Sequence, residues 1–98
     1  MPDDAGGQTT AEPIDVSQTL AQTLDFFAAL AWQKLGLQHD FATGAIAMDL
    51  GQAKLAIDTA AALASVLEPE LDDEDKRNVQ NLVRDLRINY VEKSGAKT

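Results

Sequence analysis

Few side chains in this sequence could carry out chemistry, and the clearest of them is a lone histidine. His39 is the single residue of its type, and the chain contains no cysteine. Proton transfer by a histidine needs a nucleophile, a second base or a metal held beside it in a cleft. His39 lies in a polar stretch that we expect to form a loop, where a solvated side chain is the favoured interpretation. The absence of cysteine excludes thiol catalysis, thiolate metal sites and disulfides.

Carboxylates form a second candidate. Six of them lie between Glu68 and Asp75, and such a cluster can attract a divalent cation. The run lacks the alternating oxygen ligands, the central glycine and the distal glutamate of a calcium loop. Acidic residues at a helix start also cap free N–H groups and complement the helix dipole. We therefore expect a turn and a helix cap here. We predict no catalytic residue, metal or cofactor, and a protein that is not an enzyme.

The net charge limits the classes of partner. A formal charge of -8 argues against direct DNA binding and against binding to a membrane surface, since phosphate contacts need clustered Lys and Arg. No stretch resembles a membrane span of about 20 apolar residues or a signal peptide, so we expect a cytoplasmic protein. Arg77, Arg84 and Arg87 fall on one side of the last predicted helix. This basic face either grips an acidic partner or RNA phosphate, or is solvated with Arg77 paired to Asp73, which we favour.

Helical periodicity dominates the elements that would position these residues. Apolar residues recur every three or four positions in three stretches, which is the period of one face of an α-helix. We predict an all-α fold with helices over about residues 15–35, 49–67 and 73–92. Pro69 disfavours helical backbone at Glu68, so the second helix is expected to end before it. The predicted capping residues are Asp15, Gly36, Asp49 and Asp72.

The second and third helices are expected to form an antiparallel hairpin that builds the core. A turn centred near Glu70 places Leu50 opposite Tyr90, with small alanines facing branched residues so that the helices pack closely. The same register places Asp58 near Arg84, and we predict a structural ion pair between them. An exposed pair of this kind contributes about 0–1 kcal/mol.

The first helix has an unusually wide apolar arc. Phe26 and Leu30 lie on one side of its main stripe and Trp32 lies on the other. A helix that is apolar over more than about 100° of its circumference contacts more than one neighbour. We therefore predict a homodimer with Phe26, Leu30 and Trp32 as candidate interface residues.

Two further apolar sets are expected to be covered within the monomer. Phe41 and Ile46 lie in the predicted loop before the second helix, and we expect them to anchor that loop on the core. Leu55, Ala62 and Val66 form a weaker second stripe on the second helix, which the first helix is expected to cover in part.

The chain divides into one domain and two tails. We predict a disordered acidic tail over residues 1–13, a single helical domain over residues 14–93 and a frayed tail over residues 94–98. A domain of about 80 residues buries little surface. A partner chain would add to its stability.

Three segments carry a family resemblance. They are A-W-Q-K-L-G-L at 31–37, D-L-G-Q-A-K-L-A-I-D at 49–58 and L-V-R-D-L-R-I-N-Y-V at 82–91. Together they resemble an uncharacterised bacterial family, the domain of unknown function 1844. The resemblance implies a small all-α protein with no assigned reaction, cofactor or catalytic residue. In some relatives the gene tends to lie beside genes for a translation initiation factor and large-subunit ribosomal proteins, an association that suggests a role linked to translation.

Two functions remain open from the sequence. The leading prediction is a non-enzymatic helical interaction module that self-associates by helix packing. The alternative is an accessory factor of the translation machinery that binds a basic ribosomal protein through its acidic surface.

Overall fold

The computed structural model describes residues 12–95. These residues form three helices, α1 (Val16–Lys34), α2 (Leu50–Leu67) and α3 (Asp73–Ser94), and a 3-10 turn, Glu68–Glu70, links the last two. Within this range there is no strand, only an isolated bridge between Leu35 and Met48. The prediction of an all-α fold with three helices is confirmed. Residues 1–11 and 96–98, which hold most of the predicted tails, lie outside the described residues.

All three helices begin at the predicted capping aspartates. Each aspartate side chain accepts a hydrogen bond from the backbone N–H three residues further on, at 2.8–3.2 Å. A cap of this type stabilises a helix by about 1 kcal/mol. The pairs are Asp15 with Gln18, Asp49 with Gln52, and Asp72 with Asp75.

Gly36 ends α1 as predicted. Its φ of +78° is in the left-handed region. Its N–H donates to the carbonyl of Gln33, and the N–H of Leu37 donates to the carbonyl of Trp32, at 2.9 and 3.0 Å. These two bonds form a Schellman motif, which satisfies carbonyls at the helix end that would otherwise lack a donor.

The other two helix ends differ from expectation. Glu68 keeps helical backbone angles, φ -52° and ψ -42°, so the prediction that Pro69 removes it from the helical region was wrong. Proline disfavours that conformation in the preceding residue, but Pro69 itself fits the first turn of the short 3-10 helix, where its missing N–H is not needed. At the other end, α3 extends two residues further than expected, to Ser94, because Gly95 provides a left-handed cap at φ +74°.

The core lies mainly between α1 and α2. These two helices make the most extensive contact, α3 packs less extensively on α2, and α1 and α3 touch little. Of the 22 residues of α3, only Val83 and Leu86 are buried. The core was expected within the hairpin of the last two helices, and that expectation was wrong. Small residues allow α1 and α2 to approach closely; they are Ala28, Ala31, Ala53, Ala56 and Ala60.

The contacts between α2 and α3 are those of an antiparallel pair: the end of α2 contacts the first half of α3, and the start of α2 contacts the end of α3. The residues that face one another differ from those predicted. Glu68, just after α2, accepts a hydrogen bond from Gln80 in the first half of α3 at 3.2 Å. Tyr90, near the end of α3, lines a groove with Lys54, one turn beyond the expected Leu50. The 3-10 turn, Glu68–Glu70, follows α2 directly and separates it from α3.

α2 is more apolar than expected from the sequence. The stretch Leu50–Glu70 has a mean hydropathy of 1.2 and meets the length and composition of a membrane-crossing helix. The expectation that no stretch approaches a membrane span is therefore corrected. Core helices of soluble proteins satisfy the same criterion, and α2 packs against both α1 and α3.

Candidate interaction surface

An open groove lies between α2 and α3. Its volume is about 800 Å³. Ala61 and Ala64 of α2 form one wall, and Val83, Ile88 and Val91 of α3 form the other. Ile88 is 48% exposed and Val91 is 43% exposed, so solvent reaches apolar side chains that none of the other described helices covers.

A second, smaller groove continues the first toward the start of α2. Its volume is about 260 Å³, and it shares Arg87 and Val91 with the larger groove. We call the two together the trough. The trough follows α2 from Lys54 to Glu68, a distance of about 20 Å at 1.5 Å per helical residue. This length suits a helix of three to four turns.

Charges of both signs line the trough in equal number. Its basic side chains are Lys54, Arg84 and Arg87, and its acidic side chains are Asp58, Glu68 and Glu92. The chain as a whole has a net charge of -8. The trough is thus a locally neutral, apolar surface on an acidic protein.

Two of these charges form an ion pair within α2. Lys54 Nζ lies 2.7 Å from Asp58 Oδ2, one helical turn away. The hydrogen bond that Lys54 donates to Asp58, and then the negative charge of Asp58, raise the pKa of Lys54 above its usual value. Both side chains are exposed, so the ion pair contributes little to the stability of the fold. Its main effect is to orient the two side chains at the edge of the trough.

The structure does not bring Asp58 and Arg84 together as predicted. Asp58 pairs with Lys54, and Arg84 Nε lies 3.8 Å from Asp85 on its own helix. The shifted register of α3 is the physical reason, because it places Arg87 and Tyr90 beside Asp58 instead.

The predicted basic face is exposed, and two of its three arginines line the trough. Arg77, Arg84 and Arg87 are all exposed. Arg84 and Arg87 line the trough, and Arg77 lies outside it. Among residues 12–95 Arg77 forms no ion pair, so the expected pairing with Asp73 is not present in the described region.

The predicted α1 interface residues occupy two separate sides of that helix. Phe26 is 53% exposed, and its ring meets Phe27 edge-on with centroids 5.9 Å apart. Leu30 and Trp32 are half-buried and pack against the core. At about 100° per residue, Trp32 lies more than 90° around α1 from Phe26 and Leu30. The three residues therefore do not form one continuous surface, and their role as an interface stays a prediction.

The loop before α2 is attached in a way that the sequence did not indicate. Gln33 is buried on the side of α1 that faces the loop, and its Oε1 accepts a hydrogen bond from the N–H of Phe41 at 2.9 Å. Gln33 Nε2 is buried without a partner among the described residues. A glutamine inside a helical stripe gives no local sign of this contact.

Asp40 helps to hold the same loop. Backbone N–H groups of Ala42 and Thr43 donate to Asp40 Oδ1 at 2.7 and 3.1 Å, and Lys34 Nζ lies 3.6 Å from Asp40 Oδ2. These backbone hydrogen bonds, and then the charge of Lys34, lower the pKa of Asp40 below 3.8. The loop is therefore held by polar contacts.

Several apolar residues expected to be covered are exposed. Phe41 is 68% exposed, and Ile46 is exposed as well, so the prediction that they anchor the loop on the core was wrong; polar contacts from Gln33 and Lys34 hold it instead. Leu55 and Val66 are also exposed, because α1 packs on the opposite, alanine-rich side of α2. These residues add to the apolar surface of the monomer.

The candidate chemical residues are dispersed. His39 is exposed in the loop, and the acidic residues from Asp72 to Asp75 are exposed at the start of α3, where Asp72 caps the helix. Within residues 12–95 no group of three or more His, Cys, Asp or Glu residues is placed to hold a metal ion. The geometry offers a binding surface, and the absence of enzymatic activity stays a prediction.

One family of known proteins matches the chain. The family described as "Domain of unknown function (DUF1844)" matches residues 13–92. No curated protein and no solved structure matches the chain. The match includes α1, α2, all but the last two residues of α3, and both walls of the trough. The chain therefore belongs to the DUF1844 family.

Proposed function

We propose that the protein is a non-enzymatic helical interaction module that self-associates. The trough between α2 and α3 is the observation that carries this proposal. It presents Ile88 and Val91 to solvent along a surface long enough for another helix, and amphipathic helices bind in apolar grooves of this kind.

The composition of the core supports the same proposal. Half of the twelve buried hydrophobic residues are alanines, which bury less apolar surface than Leu or Ile and so contribute less to stability. Eleven large hydrophobic side chains in residues 12–95 are exposed. A small domain with a thin core and an uncovered apolar surface gains stability when a partner chain covers that surface.

The molar mass in solution tests the proposal. Size-exclusion chromatography with light scattering, at low and high salt and over a wide range of protein concentration, should give the mass of a dimer that persists at high salt. Persistence is expected because apolar burial is not screened by ions, unlike a contact between charges. A monomer mass under all conditions would overturn the proposal.

A second candidate rests on the acidic surface. The exposed carboxylates from Asp72 to Asp75 lie at the start of α3, outside the trough, and attract a basic partner. We propose as the alternative an accessory factor of the translation machinery that binds a basic ribosomal protein. Either function belongs in the cytoplasm.

A pull-down from cytosol treated with nuclease, at two salt concentrations, tests this alternative. Ribosomal proteins should be retained at low salt and lost at high salt. A variant with Asp73→Asn and Glu74→Gln should retain less, and it keeps the capping residue Asp72. Retention that responds to neither salt nor these substitutions would overturn the alternative.

A further inference from the structure

We infer that the trough is occupied by a second copy of this chain, with the two α3 helices antiparallel about a two-fold axis at Ile88. This inference rests on the proposed function, self-association, and specifies its surface and geometry. A dimer of this kind uses the same patch on both subunits, so the patch must complement itself.

Charge balance favours a second copy over other partners. Two chains that each have a net charge of -8 repel one another. The trough has three basic and three acidic side chains, so repulsion is least where two troughs meet. An acidic peptide in the trough would meet Glu68 and Glu92, and a basic peptide would meet Arg84 and Arg87. Neither complements the surface as a whole.

The spacing of charges on α3 shows how the surface complements itself. Arg84, Ile88 and Glu92 follow one another at four-residue steps, which places them on one side of the helix, and all three line the larger groove. An antiparallel pair centred on Ile88 sets Arg84 against the partner subunit's Glu92, and Glu92 against the partner subunit's Arg84. The two Ile88 side chains meet between these ion pairs.

The exposed surface of α1 lacks this balance. Phe26 follows Asp25 at the middle of α1, and the only basic residue of α1 is Lys34, the last residue of the helix. Lys34 is already paired with Asp40. Two α1 surfaces in contact would bring like charges together without a compensating base, which makes Phe26 a suitable control site.

Disulfide trapping tests the geometry directly, because the chain has no cysteine of its own. Under mild oxidation the Ile88→Cys variant should form a covalent dimer, since a two-fold axis at this residue brings the two sulfurs within bonding reach. The matched control Phe26→Cys should remain largely uncrosslinked. Equal or greater crosslinking through Phe26→Cys would overturn the inference.

Substitutions at Ile88, Arg84 and Glu92 test the proposed contacts. The molar mass of each variant in solution reports dimer formation, and circular dichroism confirms that each variant is helical. Ile88→Glu would bury two unpaired carboxylates at the two-fold axis and should raise the dimer dissociation constant by at least about tenfold. Phe26→Glu should leave that constant unchanged. Arg84→Glu should weaken the dimer, and Arg84→Glu combined with Glu92→Arg should restore it, because the paired charges are exchanged.

The outcomes separate the two levels of the proposal. A wild-type protein that is monomeric overturns self-association itself. A wild-type dimer that survives Ile88→Glu, or a double charge exchange that fails to restore it, overturns the trough interface and leaves self-association standing.

Discussion

Replacing Gly36 with alanine is expected to destabilise the protein, whereas the same replacement at Gly51 is expected to stabilise it. Gly36 has φ +78°, and a left-handed backbone costs a residue with a Cβ atom about 1–2 kcal/mol. The new Cβ would lie 3.4 Å from Met48 Cβ, so backbone strain is the main penalty. Gly51 is in the first turn of α2, where a Cβ would meet only Asp49 Oδ1, at 3.7 Å. Alanine there gains up to about 1 kcal/mol of helix propensity.

The two variants should therefore differ by about 1–3 kcal/mol in the free energy of unfolding. For a domain of this size each 1 kcal/mol corresponds to about 4–8 °C in Tm. Urea unfolding followed by circular dichroism measures the difference, at one fixed protein concentration because self-association makes stability depend on it.

A third glycine isolates the backbone term. Gly44 has φ +72°, and a Cβ there would meet nothing within 4 Å. Gly44→Ala should therefore be destabilised by strain alone. If Gly36→Ala and Gly51→Ala shift the unfolding midpoint in the same direction, left-handed strain does not control these positions and the reasoning fails.

Three further measurements test the core, the loop and the trough rim. Leu86→Ala should lower the free energy of unfolding by about 2–5 kcal/mol because Leu86 is fully buried. Leu55→Ala, at an exposed position, should lower it by less than about 0.5 kcal/mol in the same urea experiment; similar losses would contradict the burial of Leu86. Asp40 has a pKa below 3.8 in the folded protein, so the stability it contributes is present above that pH and is lost as the pH falls through the lower folded value. Asp40→Asn should flatten the acid side of the curve of unfolding free energy against pH, and an unchanged acid slope would refute this. In a double-mutant cycle, Lys54→Ala and Asp58→Ala should show a favourable coupling that weakens with salt; strict additivity at low salt would contradict the pair.

The sequence by itself determined the number of helices and where each begins. Asp15, Asp49 and Asp72 all cap helices as predicted. A capping bond joins residues three apart, so its parts lie within a few residues of sequence. The left-handed cap at Gly36 was predictable for the same reason.

Only the tertiary structure decided how the helices meet. Asp58 shares a groove with Arg87 and Tyr90 of α3 and pairs with Lys54 on its own helix, not with the expected Arg84. The burial of Gln33 likewise depends on a loop that returns to α1. Register and loop docking are set by contacts between distant residues, which periodicity within one helix does not encode.

The trough shows the same division between sequence and structure. Ile88 and Val91 lie outside the stripe that the sequence marks as the core face of α3, and their spacing gave no reason to single them out. They became a candidate surface when α2 was found to lie beside them and to cover only Val83 and Leu86 fully. The order of residues in the sequence determines which side chains share a face of each helix. The packing of α2 between α1 and α3 determines which of those faces stays open to a partner.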